Sequence, residues 1–429
     1  MATYESYKDS GVKWLGQIPS HWEVKKLRAF FSEVCESNSA LKVHNQLQFK
    51  YGTIVPKPDT GVDDAVLKTI SKYTVVNPGD IIINGLNLNY DFISFRVGKV
   101  NEQGVITSAY IAMRPNNGLS PKFYEYMLKA MDAKKVFHGF GTGIRATLSY
   151  KELKHKLLPL VPLNEQEAIV AYLDKVTGDI DRAIEAQQKM IDALNERKQI
   201  IITRAVTRGL NPDTPLRDSG IDWLGQIPEH WEVSQLKRFA SLILGKMLDT
   251  KGGSATNWSR YICAKDVHFD GVDTSDLKSM YFSAKEQTMY RVVDGDVLIV
   301  EGGAGAGGCA IAKNIPENTF IQNSIIIIRP KLGLNKEYIA YLMQSFVKRG
   351  YIEFACNKAT IPHFTKEKVG RVPISVPPIE EQKQIVSHIN SIISPIEDSI
   401  GQCERMISLL QERKQIIINK VVTGKTKVI

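Results

Sequence analysis

Between Glu165 and Val206 the apolar positions advance by alternating steps of four and three: Ile169, Leu173, Val176, Ile180, Ile184, Ile191, Leu194, Ile201 and Ala205, with Gln187 and Lys198 completing the series. A second series has the same steps: Ile385, Ile389, Ile392, Ile396, Ile400, Cys403, Ile407, Leu410, Lys414, Ile417 and Val421. Such spacing lays one stripe along a helix, the seam of a coiled coil. A single stripe is ordinarily core packing. Two stripes of equal length and pattern can bury each other, and at about 1.5 Å per residue each helix reaches roughly 60 Å. Each series contains one extra step of four, Ile180 to Ile184 and Ile396 to Ile400, which relaxes a heptad locally. Gly178 and Ser394-Pro395 lie beside those steps and predict a kink or a short break in both helices. Gly209 with Pro212, and Gly424, supply the stops.

Ahead of each helical stretch the pattern changes to short β-rich runs bounded by Gly, Pro, Asn and Asp. These cover Thr74 to Ile83 and Val105 to Met113 in the first half, and Val292 to Val300 and Phe320 to Ile328 in the second. Helical stretches follow at Pro121 to Val136 and Asn335 to Val347. Each half therefore reads as an α+β domain, with no strand order derivable from the pattern.

The chain is written twice. KDSGVKWLGQIPSHWEV (Lys8 to Val24) and RDSGIDWLGQIPEHWEV (Arg217 to Val233) share 13 of 17 positions, and ERKQIII occurs at Glu196 to Ile202 and at Glu412 to Ile418. Weaker matches hold the register between these anchors: Asn77-Pro-Gly-Asp80-Ile with Val293-Asp-Gly-Asp296-Val, and Arg114-Pro115 with Arg329-Pro330. Two copies that keep a frame and change most side chains imply one fold presenting two different surfaces. Lys198 and Lys414 fall at equivalent seam positions. They fix register, mark where the helices part for a partner, or lay their stems along the seam, and the last is the ordinary expectation.

Charge sharpens the picture. Residues 24–160 carry 19 Lys+Arg against 11 Asp+Glu and residues 234–375 carry 19 against 13, so a chain of net charge +9 has its surplus in these two segments. That is the footprint of two polyanion-binding surfaces, against the plain alternative of a solubilising exterior. The five cysteines form no CxxC pair and the eight histidines show no ligand spacing, so neither disulfide nor metal is expected. No run of about 18 apolar residues exists and the start is polar, so the expectation is a cytoplasmic protein with no membrane association. Gly139-Phe-Gly-Thr-Gly143 and the stretch Gly302 to Gly308 suggest nucleotide loops. Each occurs in one copy only and lacks the strand-loop-helix setting with an acidic ribose partner, and both read as loops near DNA. No HExxH, nucleophile elbow or Asn-Pro-Pro-Tyr run is present, so no catalytic residue is assigned.

In combination, the repeated WLGQIPxHWEV segment, the two basic divergent domains and the helices led by Pro-Leu-Asn-Glu165-Gln166 and Pro-Ile-Glu-Glu381-Gln382 resemble Type I restriction-modification specificity subunits over essentially the whole chain. The resemblance implies two α+β target-recognition domains in tandem, separated by two long helices packed as an antiparallel coiled coil with pseudo-two-fold symmetry. The expected segments are 1–24 and 211–233 (repeated), 25–160 and 234–375 (recognition domains), and 161–210 and 376–429 (spacer helices). It further implies a non-catalytic subunit that reads a bipartite sequence in double-stranded DNA, with the helices setting the spacer. Two methyltransferase subunits, and restriction subunits in the full complex, are the implied partners. S-adenosylmethionine, ATP and Mg²⁺ are expected on those partners and no cofactor on this chain.

The candidate DNA contacts are Lys50, Lys57, Lys99, Lys134, Lys135, Arg145 and Thr147 in the first domain, and Lys246, Lys251, Arg260, Lys265, Lys358, Thr360 and His363 in the second. Each is a basic or polar residue in a loop-like or helix-end position, where phosphate and base-edge contacts are made. The matching stretches His138 to Ser149 and Asn357 to Thr365 rank highest. Ile180, Ile184, Ile191, Leu194, Lys198, Ile201, Ile396, Ile400, Ile407, Leu410, Lys414 and Ile417 are the expected seam and docking residues. Three other readings stand beside this one: an autonomous nuclease or methyltransferase, a non-DNA coiled-coil scaffold, and the specificity subunit of a related system that cleaves without translocating.

Overall fold

A computed structural model of the chain describes residues 3–50, 52–58, 63–91, 95–141, 146–250, 257–269, 271–303, 305–356 and 363–428. The chain forms two compact units. One comprises Met1–Gln188 with Glu404–Ile429, the other Lys189–Cys403.

In the first unit a four-stranded antiparallel sheet has the order Phe31–Glu33, Ile111–Pro115, Ile81–Ile83, Val97–Lys99. In the second, Ala240–Leu244, Ile325–Pro330, Val297–Val300 and Cys309–Ile311 stand in the same order, all antiparallel. The expected run from Thr74 to Ile83 is two strands, Thr74–Val76 and Ile81–Ile83, parted by the turn at Asn77 to Asp80. Gly79 has φ +94°, and Gly295 has the same value in the corresponding turn of the second unit. Only a residue without Cβ adopts that conformation cheaply, which is why both copies keep glycine there.

The matches that held the register between the copies are the two sides of one ion pair. Arg114 donates from Nε to Asp80 Oδ1 and from Nη2 to Asp80 Oδ2, each at 2.8 Å, and Arg329 clasps Asp296 in the same way. A helix follows in each unit, Pro121–Ala133 and Lys336–Lys348. Its N-cap is Ser120, accepting from Phe123 N, or Asn335, accepting from Glu337 N and Tyr338 N.

Away from this shared frame the units differ. The first carries a hairpin, Leu47–Lys50 with Thr53–Pro56, and a separate pair, Thr74–Val76 with Gly104–Ile106. The second carries a three-stranded sheet in which Trp258–Ile262 pairs antiparallel with Lys278–Tyr281 and parallel with Thr319–Ile321.

The long helices are Leu163–Arg208 and Ile379–Val422. Neither is broken at Gly178 or at Ser394-Pro395. Pro395 is exposed between buried Ile393 and Ile396, and Gly178 lies between buried Thr177 and Ile180. Burial on the packed side carries each helix past its poor helix former, so tertiary packing overrides propensity.

In the first unit, Ile169, Leu173 and Ile180 of the first helix join Ile417, Ile418 and Val421 of the second in a core with Trp22, Phe123 and Met127. In the second unit, Ile202, Ala205 and Val206 join Ile385, Ile389 and Ile393 around Trp231, Tyr338 and Phe346. Each such side chain, fully buried, contributes about 1.5–3 kcal/mol. The helix segments are antiparallel within each unit. In the first, Asp181 faces Lys414 and Thr177 lines the same cavity as Ile418; in the second, Lys198 faces Glu397 and Gly209 lies against Glu381.

The seam lysines each have an acidic partner on the facing helix. The Lys414 ammonium donates to both oxygens of Asp181, at 2.6 and 2.7 Å, and Lys198 pairs with Glu397. Asp181 follows Ile180 as Glu397 follows Ile396, so one pairing is made twice.

The repeated segments have equally matched roles. Trp22 Nε1 donates to Glu165 Oε2 at 3.0 Å, and His21 Nε2 lies 2.5 Å from Glu165 Oε1. Trp231 and His230 repeat this with Glu381 at 3.1 and 2.8 Å. Gln166 Oε1 accepts from Ser120 N, and Gln382 Oε1 from Asn335 N. The Glu-Gln pair at the start of each long helix thus ties it to the repeated Trp and to the cap of the sheet-flanking helix.

Candidate nucleic-acid interface

In both units two loops meet at one end of the sheet. In the first, Leu148 N donates to Gly85 O at 2.9 Å and Leu88 N to Ala146 O at 3.3 Å, while His138 Nε2 lies 3.1 Å from Asp91 O. In the second, Phe364 N donates to Glu301 O at 2.6 Å, and Gly302 bridges to His363. Both highest-ranked polar stretches are therefore joined, through their described residues, to the loop that follows Ile81–Ile83 in the first unit and Val297–Val300 in the second. A Cβ at Gly85 would lie 2.3 Å from Leu148 O, so the first pair of loops requires glycine at its junction.

Arg96, which no pattern in the sequence singles out, organises the first loop from beneath. Its side chain is fully buried and donates to the carbonyls of Asn84, Leu86 and Asp91 at 3.1, 2.8 and 2.7 Å. Its backbone N–H donates to Asp132 Oδ2 at 2.7 Å. Burial raises the Asp132 carboxyl above its ordinary range, opposed by that N–H and by the nearby cations. An arginine bonded to three carbonyls fixes the path of residues 84–91 by charge-assisted bonds.

The candidate contacts fall into distinct places. Lys50 and Lys57 are exposed on the Leu47–Pro56 hairpin, and Lys99, bonded to Asn101 at 2.6 Å, lines a cavity with Gly52 and Thr53 of the same hairpin. Thr147 is exposed on the second loop. Lys134 and Lys135 end the helix Pro121–Ala133, away from the hairpin group, around Trp14. In the second unit Arg260 is exposed at mid-strand, and Lys265 is held by Asp266 and Asp276 at 3.4 and 3.8 Å. His363 Nδ1 lies 3.4 Å from Glu301. The Lys246 ammonium is turned inward, bound by Glu286 at 2.8 Å, Asp249 at 3.3 Å and Tyr281 O at 2.9 Å. Arg145, Lys251, Lys358 and Thr360 lie outside the described residues.

Of the seam residues, Ile180, Ile191, Ile396 and Ile417 are buried; Ile184, Leu194, Lys198, Ile201, Ile400, Ile407, Leu410 and Lys414 are half-buried. Among the described residues no group of three His, Cys, Asp or Glu side chains could hold a metal ion, and no described helix is long and apolar enough to cross a membrane.

Residues 19–190 and 228–402 each match the family described as the Type I restriction modification DNA specificity domain. The chain is 23% identical over 438 residues to a putative type I restriction enzyme MjaX specificity subunit of Methanocaldococcus jannaschii, covering 98% of both chains. It is 24% identical over 439 residues to the type I restriction enzyme MjaVIII specificity subunit of the same organism, covering 98% of this chain and 97% of the other. A solved structure described as the structural basis underlying complex assembly and conformational transition of the type I R-M system superposes with a TM-score of 0.67. It does so at 15% identity over 94% of this chain and 98% of the other, a likeness of fold.

Proposed function

This chain belongs to the Type I restriction modification DNA specificity family, as a specificity subunit, and from that premise we propose that its two units each read one half of a bipartite target in double-stranded DNA. One observation carries the reading: both units build the same Asp–Arg clasp, Trp–Glu tie and loop junction, then place different residues on the exposed loops and hairpins. A scaffold made twice with two faces suits two different half-sites. Lys50, Lys57, Lys99, Thr147, Arg260, Lys265 and His363 are the proposed contacts among the described residues, phosphate-directed where lysine and base-directed where arginine or histidine. The paired helix segments set the unread spacer and, with the repeated segments, receive two methyltransferase subunits. S-adenosylmethionine, ATP and Mg²⁺ act on the partners, and this chain contributes recognition without catalysis.

The test is methylation-site sequencing of DNA from cells that express this chain with its methyltransferase partner, against the methyltransferase alone. A bipartite adenine motif that depends on this chain is the expected result. No new motif, with both proteins soluble and associated, overturns the proposal. In vitro, affinity should fall steeply with salt, and Lys50→Ala with Lys57→Ala should reduce the salt slope by about 1 for each phosphate that is no longer neutralised.

A further inference from the structure

The two copies depart from each other at the loop of the repeated segment. In the first unit Trp14 and Phe140, with Val12 and Val136, floor a surface cavity of about 1000 Å³. Lys13, Lys134, Lys135, His155 and Lys156 ring it, and among the described residues no acidic side chain lines it. Lys134 Nζ donates to Trp14 O at 3.3 Å, and Lys156 Nζ sits 4.1 Å over the Phe140 ring. None of the four lysines forms an ion pair among the described residues. Burial, and to a lesser extent the Lys425 ammonium, lower Lys134 below the ordinary lysine range. Lys135 holds φ +58°, a left-handed conformation that is unfavourable for a residue with a Cβ.

The second unit packs the same place differently. Trp223 occupies the position of Trp14, but its ring lies 3.9 Å from Phe346 and 4.7 Å from Tyr351, centre to centre. Asp222 replaces Lys13, and Gly350, with φ +83°, replaces Lys135. Val372 replaces Lys156, the equivalence fixed by Leu27 N bonding to Lys156 O and Leu236 N to Val372 O. One copy therefore packs its own tyrosine against the tryptophan and carries an acid beside it, while the other holds a lysine there on a strained backbone.

We propose that the Trp14 cavity of the first unit is a docking site for an acidic segment of a partner protein that inserts an aromatic or branched apolar side chain, one segment per chain. Charge complementarity selects the occupant: the cations need carboxylates and the floor needs an apolar group. A DNA phosphate row satisfies the first demand and leaves the apolar floor uncovered. A volume of about 1000 Å³ suits a few side chains. A partner held here binds in single copy, because in the second unit Tyr351 packs on the corresponding tryptophan and Asp222 stands where Lys13 does in the first.

The test uses the full chain and a fluorescein-labelled peptide, Glu-Asp-Glu-Trp-Leu-Asp-Glu, read by fluorescence anisotropy. Saturable binding at one site per chain is expected, lost when every acid of the peptide is replaced by its amide. Lys13→Glu with Lys156→Glu should weaken it at least tenfold. Gly139→Phe, which adds bulk at a lining residue where a Cβ meets nothing within 4 Å, should do the same with every charge intact. Peptide affinity unchanged in both variants overturns the proposal. So does a random 20-base-pair duplex that loses affinity in both variants while the peptide fails to bind, which would make the cavity a phosphate contact.

Discussion

Arg114 clasps Asp80 through two parallel hydrogen bonds, and the same carboxylate accepts the Asn77 N–H at 2.8 Å. One side chain thus ties a strand, a turn and the neighbouring strand together. Asp80 is almost fully buried while Arg114 is 43% exposed, so losing the carboxylate's charge leaves a buried N–H and a freed guanidinium that reaches water. Asp80→Asn should lower stability by about 1–3 kcal/mol in urea unfolding. Asp296→Asn should do the same, since Arg329 and Val293 N hold that carboxylate identically. A double-mutant cycle with Arg114→Ala that shows no coupling would refute the clasp.

Trp22 is fully buried and its indole N–H is paired with Glu165. Glu165→Ala should strand that donor and cost about 1–3 kcal/mol, whereas Glu165→Gln keeps an acceptor and should cost less. Hydrogen exchange should speed up at the start of the helix Leu163–Arg208 in the alanine variant, with the segment around Glu381 unchanged.

The Lys198–Glu397 and Lys414–Asp181 pairs join half-buried lysines to exposed carboxylates. Each should contribute about 0–1 kcal/mol, screened as salt rises. Lys198→Ala should therefore hardly move the unfolding midpoint, Lys198→Glu should lower it further through like-charge repulsion with Glu397, and Lys198→Glu with Glu397→Lys should restore it. Failure of the reversed pair to recover would show that the lysine stem, not its charge, is what the helices use.

Cys309 is fully buried, and burial pushes its thiol up to about 12. Folding therefore favours the neutral thiol. Its contribution is complete below the unfolded value of about 8.5 and is lost as pH rises towards the folded one. Stability should fall by up to about 1.4 kcal/mol per pH unit in that window, more steeply than in Cys309→Ala. Equal slopes for the two proteins would remove the thiol from the account. In the native chain, iodoacetamide should modify exposed Cys35 well before Cys309.

The seams, the duplication and the α+β character were readable because each is a local regularity of residue type. Asp80 and Arg114 were also visible, but only as markers of register. Nothing in a linear pattern says that residues 34 positions apart form one pair, whereas the strand register of Ile81 with Met113 brings them together. Pro395 and Gly178 do not break their helices, because propensity is local and helix continuity is decided by burial on the opposite face. Lys246 looked like any basic loop residue until Glu286, Asp249 and Tyr281 were folded around it.

By itself the sequence determined the number of units, their common frame, the places where they diverge and the positive charge each carries, since these follow from repetition and composition. Only the tertiary structure decided which cations are paired inside the protein and which line an open surface. It also decided that Tyr351 packs on Trp223 in one copy while lysines surround Trp14 in the other, because a side chain's partners are set by what distant segments bring to it.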